Sequence, residues 1–498
     1  MATKPVQEQV ERILDEETGP TVAVILQARE GDRATKNHAT AAAAAVAERR
    51  LTVRSREVLP DLTAALSGKN RRPGRTPSIT ASVMAASGQP ATSKAAARSS
   101  VQPVLATPPL KAAMARAGED ESASAVTPLL AARSVAAVLR RDEVAALGRD
   151  SRSISAVYPN RTLKVPRVIE VDVLPRAVED VKAAAWGVER IGALAAWGAY
   201  GARGRGVKVA VLDTGVDAEH PDLKGKVANW AEFGPDGKKI TGSTAHDSDR
   251  HGTHVCGTIA GGDASGRWIG VAPDARLAVG LVLDGEKGGS DAQVLAGIDW
   301  ALDHGAHVIS MSLGGIVIGP ETPGTYTRAI VESFLRGVPV VAAIGNEGDG
   351  TGGSPGNDLF SMAVGATDVD DNVAGFSSGR TQYVTQSDVI RPELLPLPYP
   401  KPDLSAPGVA VQSSVPGGQW AAFSGTSMAT PHTSGAVALL LSATGNLSGI
   451  ADDDRVGVIL DLFVGGVAER GEAGQDHRYG FGRIDVLRTI GLAKDQGL

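Results

Sequence analysis

The stretch GTSMATPH, residues 425–432, places a single serine where its hydroxyl could act as a nucleophile. Ser427 is followed four residues later by Pro431 and then by an apolar run. A proline is tolerated near the start of a helix, because the first N–H groups there have no partner inside the helix. The pattern therefore predicts that Ser427 lies at a helix N-terminus, where unpaired N–H groups favour negative charge on a nearby oxygen.

A serine hydroxyl becomes a useful nucleophile only when a base removes its proton, and that base needs an acid that fixes its tautomer. Asp213 ends the apolar run GVKVAVLD, and His251 lies in DRHGTHVCGT at a predicted helix start. The chain order Asp, His, Ser differs from that of chymotrypsin and of the α/β-hydrolases, and GTSMA does not fit the G-x-S-x-G elbow of the latter. We therefore predict a triad of Asp213, His251 and Ser427.

Alternating strands and helices follow residue 205 and predict the scaffold that positions these side chains. The predicted strands share β-branched apolar residues and include 206–213, 275–284, 306–315 and 339–348. Such alternation is typical of an α/β fold with a doubly wound, mostly parallel sheet. Ligands of such sheets bind at the carboxyl ends of the strands, where Asp213, Gly315 and Asn346 fall.

The first third of the chain has a different pattern, which indicates a small α+β unit at 20–168 after a tail at 1–19. Its predicted strands lie in 21–28, 134–141 and 153–165, and its predicted helices in 34–50 and 142–150. Between them, Ser, Ala, Thr, Pro and Gly dominate without periodicity. We expect a disordered insertion at about 66–131, because this composition buries too little apolar surface to offset ordering entropy. One or two alanine-rich helices, near 109–117 and 130–148, are the alternative.

Composition excludes several classes of partner and bond. The formal net charge of -6 at pH 7 argues against a nucleic-acid-binding surface, and a single cysteine, Cys256, excludes an internal disulfide. No apolar run is long enough to span a membrane, and the opening residues lack the apolar core of a signal peptide. We therefore expect no nucleic-acid or membrane partner and favour a cytoplasmic location, with secretion by another route as the alternative.

Five motifs resemble those of the subtilisin-like serine peptidases, the subtilases: AVLDTGVDAEHPDL, HGTHVCGTIAG, MSLGG, AAIGNEG and FSGTSMATPH. The resemblance covers roughly 185–490 and implies a catalytic domain at 185–498. It implies Asp213 as orienting acid, His251 as general base and then acid, and Ser427 as nucleophile. Asn346 would donate its side-chain amide to the oxyanion. The implied function is a serine endopeptidase that acts through an acyl-enzyme, and the alternatives are a catalytically silent binding module and a metal-dependent hydrolase.

The resemblance also implies that a polypeptide substrate binds as an added strand against exposed strand edges. The implied edges and pocket wall are built mostly from small residues: Gly288, Gly289, Ser312, Leu313, Gly314, Gly315, Ala343 and Gly345. Gly353 aligns with the floor of the pocket. A floor without a side chain predicts a large apolar residue before the scissile bond.

The N-terminal unit resembles the inhibitory propeptide of subtilases, which implies that this domain acts as an intramolecular inhibitor until it is cleaved. Its final strand would feed a linker at 169–184 through the active-site cleft, with cleavage between about 160 and 185. The Pro-rich segment 379–400 is longer than the corresponding connection in compact subtilisins, and we expect it to form a surface excursion near the substrate cleft.

The predicted chemistry requires no cofactor. His251 and His254 share a helix face, but no third ligand with zinc-like spacing follows, so metal-dependent hydrolysis is disfavoured. Asp222, in HPDL, resembles a calcium ligand of some subtilases, and a plain turn residue is the alternative. The loop at 261–268 lacks the expected asparagine ligand, although Asp263 is close by. A structural calcium ion is therefore left open.

Overall fold

A computed structural model describes residues 4–29, 94–117, 126–148, 152–172 and 183–498, except 286, 318, 388 and 391–393. The helix expected at 34–50 and much of the segment 66–131 lie outside the described residues. In the described part of the chain, no helix is both long and apolar enough to cross a membrane.

An antiparallel four-stranded sheet forms the centre of the N-terminal unit, with strand order β2-β3-β1-β4. The elements are α1 (Lys4–Glu16), β1 (Thr21–Ala28), α2 (Lys94–Leu105), α3 (Pro108–Ala117), β2 (Val126–Leu129), β3 (Ser134–Arg140), α4 (Arg141–Leu147) and β4 (Ile154–Pro159). Strand β1 lies between β3 and β4 and pairs with both. Strands are found where the β-branched runs predict them.

Two expectations for this unit are wrong. Residues 4–16 of the supposed tail form α1, and residues 94–117 of the supposed disordered insertion form α2 and α3. The predicted alternative helix at 109–117 corresponds to α3. Residues 126–129 of the same insertion form the edge strand β2.

The reason is that these helices bury apolar residues which the overall composition hides. In α1, Val6, Val10 and Ile13 recur at a spacing of four and three residues and are buried against the sheet. In α2 and α3, Val101 and Leu110 enter the same core. An apolar stripe of helical period is sufficient to stabilise a helix on a sheet, even in an alanine-rich segment.

Two short strands, β5 (Thr162–Leu163) and β6 (Ile169–Glu170), follow the N-terminal unit. The elements after them are α5 (Trp186–Arg190), α6 (Ala193–Tyr200), β7 (Lys208–Asp213), β8 (Val227–Glu232), α7 (His251–Ala260), β9 (Arg276–Leu281), β10 (Gly289–Ser290), α8 (Asp291–Asp303), β11 (Val308–Met311), β12 (Gly315–Val317), α9 (Thr327–Leu335), β13 (Val340–Ala343), β14 (Gly352–Ser354), β15 (Met362–Thr367), β16 (Arg380–Val384), β17 (Leu397–Lys401), β18 (Leu404–Pro407), β19 (Val411–Val415), β20 (Gln419–Ser424), α10 (Thr426–Ala443), a 3₁₀ turn (Gly445–Leu447), α11 (Asp452–Gly466) and α12 (Val486–Asp495).

A seven-stranded parallel sheet carries the second unit, in the order β18-β15-β13-β11-β7-β9-β8. This confirms the predicted α/β class with a doubly wound sheet. Strands β7, β11 and β13 lie side by side, so their carboxyl ends meet at one edge. The buried helix α10 packs across β11, β13 and β15 and begins at that same edge.

The segment 379–400 is not the surface excursion that its prolines suggest. Strands β16 and β17 form an antiparallel pair, and Ile390, Leu397 and Tyr399 are buried. The segment borders a cavity shared with the N-terminal unit, and its lining includes Tyr158 and Ile390. Its buried apolar residues therefore pack in the same core as residues of the N-terminal unit.

We predict that Ile13→Ala loosens the N-terminal unit, because the substitution leaves a cavity under the sheet. Replacing a buried isoleucine by alanine lowers the free energy of unfolding by about 2–5 kcal/mol. Hydrogen exchange of β1, measured in a Ser427→Ala background, should show its opening free energy falling by roughly that amount. The exposed Asp15→Ala on the same helix is the control, and equal protection in the two variants would contradict the packing of α1.

Candidate active site

Asp213 and His251 are joined by a short hydrogen bond. Asp213 is the last residue of β7, and His251 is the first residue of α7. His251 Nδ1 donates to Asp213 Oδ1 over 2.7 Å, and both side chains are buried. The backbone N–H of Thr214 donates to the same carboxylate oxygen over 2.8 Å, which fixes its orientation.

The environment of His251 makes it a stronger base than an isolated imidazole. Burial alone would lower the pKa of His251, but the charge and hydrogen bond of Asp213 outweigh burial and raise it above 6.5. Because the carboxylate accepts from Nδ1, the neutral ring keeps its proton there. Nε2 is then left free to accept a proton.

A second carboxylate, Asp247, ties the loop before His251 to the end of β7. It accepts hydrogen bonds from the Thr214 hydroxyl over 2.7 Å and from the Thr253 backbone N–H over 2.7 Å. Burial raises the pKa of Asp247, and these hydrogen bonds oppose the rise. The sequence pattern did not identify this role, because Thr214 lies 33 positions before Asp247 in the chain. Across the described ranges, no group of three or more His, Cys, Asp and Glu side chains could hold a metal ion.

Ser427 is the second residue of α10, as its distance from Pro431 predicts. Its hydroxyl donates to the Ser312 carbonyl oxygen over 3.2 Å, and the Ser312 hydroxyl donates to the Ser427 carbonyl oxygen over 2.8 Å. His251 Nε2 is buried and has no hydrogen-bond partner among the residues that the structure describes. The predicted bond between Ser427 Oγ and His251 Nε2 is therefore not formed, because the Ser312 carbonyl takes the hydroxyl instead.

Asn346 follows β13, and its amide is held in a defined orientation. Its Oδ1 accepts from the backbone N–H and the hydroxyl of Thr426, each over 2.8 Å. Its Nδ2 donates over 3.0 Å to the backbone carbonyl of Arg167. The side chain predicted to stabilise an oxyanion thus binds a carbonyl oxygen of this chain's own backbone.

The segment around Arg167 crosses the carboxyl edge of the sheet as an added strand. Leu163 pairs with Gly289, Lys164 with Gly314 and Ile169 with Ser424, all antiparallel. These partners are the two predicted substrate edges and the strand that leads into α10. The cleft therefore holds residues 162–170, which belong mostly to the predicted N-terminal unit, whereas residues 173–182 of the linker predicted to pass through it lie outside the described residues.

The carboxylate of Glu170, three residues after Arg167, reaches the residue next to His251. Arg250 binds both Glu170 oxygens, over 2.8 and 3.0 Å, and its guanidinium carbon lies 5.3 Å from the centre of the Phe423 ring. The segment thus contacts Asn346, Ser424 shortly before Ser427, and Arg250 next to His251.

The predicted substrate residues fall into two groups. A Cβ atom on Gly288 would lie 2.0 Å from the Leu163 carbonyl oxygen, and one on Gly315 would lie 3.1 Å from the Leu163 side chain. Gly288 and Gly315 therefore leave room for the added strand, whereas a Cβ atom on Gly289 would lie 2.2 Å from the Val282 carbonyl oxygen and one on Gly314 would lie 3.4 Å from the Ser354 carbonyl oxygen. Ser312 contacts Ser427 through the two hydrogen bonds described above.

The other group lies in or beside the walls of the cleft. Leu313 and Ala343 are buried, and the backbone N–H of Gly345 donates to the Thr426 hydroxyl over 3.3 Å. A Cβ atom on Gly353 would lie 3.1 Å from the Ile344 carbonyl oxygen, so the glycine permits close packing. The preference for a large apolar residue stays a prediction.

Asp222 does not fit the predicted calcium site. Its Oδ1 accepts from the Ala264 backbone N–H over 2.8 Å, and its Oδ2 accepts from the Trp420 indole over 2.7 Å. Both oxygens thus face N–H donors, whereas a calcium ion requires oxygen ligands around it. The carboxylate joins the loop at 261–268 to β20, in agreement with the alternative that Asp222 is a structural turn residue.

Comparison with known proteins agrees with this geometry. Residues 204–482 match the model of the subtilase family. The chain belongs to the subtilase family. It is 42% identical over 255 residues to Subtilisin Savinase of Lederbergia lenta, covering 51% of this chain and 83% of that protein. It is 40% identical over 259 residues to an intracellular serine protease of Paenibacillus polymyxa, covering 51% and 72%, and 38% identical over 284 residues to Subtilisin E of Bacillus subtilis, covering 56% and 66%.

The family and these relatives establish the class of activity. The chain is a subtilisin-like serine endopeptidase, as the sequence motifs predict.

Since only neutral His251 can accept a proton, we predict that kcat/KM on a peptide falls as pH drops through its raised pKa. Asp213→Asn removes the charge that outweighs burial, so the acid limb should move to lower pH. Loss of the carboxylate should also slow the reaction by about 10⁴-fold.

The wild-type profile is measured on a peptide, and that of Asp213→Asn on the slow self-cleavage of its intact chain, followed by mass spectrometry. Asp370→Asn, an exposed carboxylate, is the control and should leave the rate and the profile unchanged. An acid limb that stays in place in Asp213→Asn would contradict the assigned ion pair.

Proposed function

We propose that the chain is a self-inhibited precursor of a serine endopeptidase, which cleaves its own backbone following Arg167 and becomes active when the cleaved N-terminal unit leaves the cleft. The observation that carries the proposal is the hydrogen bond of 3.0 Å from Asn346 Nδ2 to the Arg167 carbonyl oxygen. This hydrogen bond from the predicted oxyanion donor, beside the N-terminus of α10, supports the Arg167 carbonyl as the scissile one.

The proposed reaction starts when the Ser427 hydroxyl turns from the Ser312 carbonyl to His251 Nε2. His251 takes the proton, and Ser427 Oγ attacks the carbonyl carbon of Arg167. The developing oxyanion is stabilised by Asn346 Nδ2 and the backbone N–H of Ser427, while Asp213 stabilises the imidazolium.

His251 then gives its proton to the amine of Val168, which leaves as a new N-terminus. The acyl-enzyme joins Ser427 Oγ to Arg167. Water attacks it after His251 removes a proton, and Arg167 departs with a free carboxylate. The same steps apply to a polypeptide that replaces the segment in the cleft.

Contacts far from this bond support the inhibitory role of the N-terminal unit. The backbone N–H groups of Leu130 and Ala131 donate to Asp299 on α8, over 2.6 and 2.5 Å. Arg328 on α9 donates to the Ala28 carbonyl oxygen over 3.0 Å. Because cleavage after Arg167 leaves these contacts intact, the cleaved unit should stay docked and keep the cleft covered.

We predict that the wild-type protein is recovered as two fragments and that Ser427→Ala is recovered as one intact chain. Mass spectrometry and N-terminal sequencing should give Val168 as the new N-terminus. A fluorophosphonate probe, applied after the fragments are separated, should label Ser427 in the wild type alone.

Two outcomes would contradict the proposal. An intact wild-type chain with full peptidase activity would show that cleavage is not required. An intact wild-type chain that neither cleaves peptides nor takes up the probe would favour the catalytically silent binding module.

We predict that docking of the N-terminal unit weakens as pH rises through about 7. Burial beneath the 130–131 turn raises the pKa of Asp299 to about 7, against backbone hydrogen bonds that lower it. In the separated catalytic unit this carboxyl faces water, so its pKa returns toward about 3.9. The docked state therefore holds a proton that the separated state releases, and this contribution to docking is lost as pH rises.

Size-exclusion chromatography of the self-cleaved protein at pH 5 and pH 8 measures the fraction of N-terminal fragment that stays bound. Retention should be higher at pH 5 in the wild type and nearly pH-independent in Asp299→Asn. Asp370→Asn should behave like the wild type. An unchanged pH dependence in Asp299→Asn would contradict the role of Asp299.

A further inference from the structure

A buried ion pair lies upstream of the cleavage site, where the added strand begins. The carboxylate of Asp291, the first residue of α8, has no exposed surface, whereas the Arg161 side chain keeps 28% of its surface exposed. Arg161 Nε donates to Asp291 Oδ2 over 2.8 Å, and Nη2 donates to Oδ1 over 3.2 Å. This two-pronged geometry suits a guanidinium better than an ammonium group.

The acidic half of this pair belongs to the catalytic unit. The Tyr326 hydroxyl, on the turn that leads into α9, donates to Asp291 Oδ1 over 2.6 Å, and Tyr326 is fully buried. Both hydrogen bonds to Asp291 Oδ2 come from Arg161, one from its side chain and one from its backbone N–H over 3.2 Å. When the N-terminal unit departs after cleavage, Asp291 keeps Tyr326 and loses every donor seen at Oδ2.

The charges of the pair depend on one another. Burial lowers the pKa of Arg161, but the charge and hydrogen bonds of Asp291 outweigh burial and raise it. Burial and the neighbouring Asp291 charge raise the pKa of Tyr326, so its hydroxyl stays a donor. A buried carboxylate without its cation is costly, which favours a second cation in the same place.

The backbone brings any peptide in the same register past this carboxylate. Asp291 N donates to the Arg161 carbonyl over 3.1 Å, and Ala292 N donates to the Asn160 side chain over 2.9 Å. Leu163 pairs with Gly289 two residues further on. The extended segment that ends at the proposed scissile carbonyl thus begins beside Asp291.

From these contacts we infer that Asp291 and Tyr326 form a binding site for an arginine side chain at the seventh residue before the scissile bond of polypeptide substrates. The inference rests on the proposed cleavage after Arg167, which makes Arg161 the seventh residue before the bond. It makes the enzyme selective for long, extended segments with a guanidinium at that distance, in addition to the residues next to the bond.

The test compares peptides on the self-cleaved wild-type protein after its N-terminal fragment has been removed. The first peptide spans residues 159–171, the second is the same peptide with Arg161→Gln, and the third is the same peptide with Arg161→Lys. The fourth spans 164–171 and therefore lacks the residue that would bind Asp291. We expect kcat/KM for the first peptide to exceed that for the second by about tenfold or more, since hydrogen bonds to charged groups contribute about 1.5–3 kcal/mol. The difference should arise mainly in KM, and the lysine peptide should fall between the two.

Asp291→Asn is the matched enzyme variant and should cleave the arginine and glutamine peptides at similar rates. The short peptide should be cleaved equally by Asp291→Asn and the wild type, which shows that the variant is folded. If Asp291→Asn does not fold, the wild-type comparison alone decides.

The outcomes separate this inference from the proposed function. Equal kcat/KM for the arginine and glutamine peptides on the wild type would overturn the arginine site, while cleavage of either one would leave the peptidase proposal standing. Failure to cleave the short peptide and both long peptides would instead count against the proposed function.

Discussion

One extended segment of the chain pairs with two strand edges, and this pairing fixes how the rest of the chain is arranged. Residues 162–164 pair with β10 and with Gly314, and residues 169–170 pair with β20. Backbone hydrogen bonds of this kind require glycines that leave space for a crossing strand, which Gly288 and Gly315 provide. Because the segment joins the N-terminal unit to the catalytic unit, its position determines what each unit can do.

The active site depends on the same edge of the parallel sheet. Strand β7 ends in Asp213, β13 leads to Asn346, and α10 begins beside Ser427, so the fold brings three distant parts of the sequence together. The buried bond from His251 to Asp213 sets the tautomer of the base. Thr426 sets the orientation of the Asn346 amide. In the proposed reaction, the Ser427 hydroxyl moves from the Ser312 carbonyl to His251.

Much of this was predictable from the sequence because the signals are local. The run GVKVAVLD predicts a buried parallel strand, and Pro431 predicts a helix start near Ser427. The triad and Asn346 lie in motifs that resemble those of one family, so their residues could be named in advance. Helix α1 was missed although Val6, Val10 and Ile13 form an apolar stripe, and α2 was missed because of its low-complexity composition, while α3 was expected only as the alternative.

The remaining features depend on contacts that no local pattern encodes. The pair of Arg161 and Asp291 joins residues 130 positions apart, and the indole of Trp420 reaches Asp222 across 198 positions. The Ser427 hydroxyl donates to the Ser312 carbonyl, which lies 115 positions away in the chain. Such distances are bridged only by the folded chain.

A crystal structure of the intact Ser427→Ala chain tests the central claim most directly. The account predicts continuous density for residues 161–171 between the edges at 287–290 and 312–315, with the Arg167 carbonyl oxygen within hydrogen-bonding distance of Asn346 Nδ2. A cleft that is empty, or that holds a different segment of the chain, would contradict it.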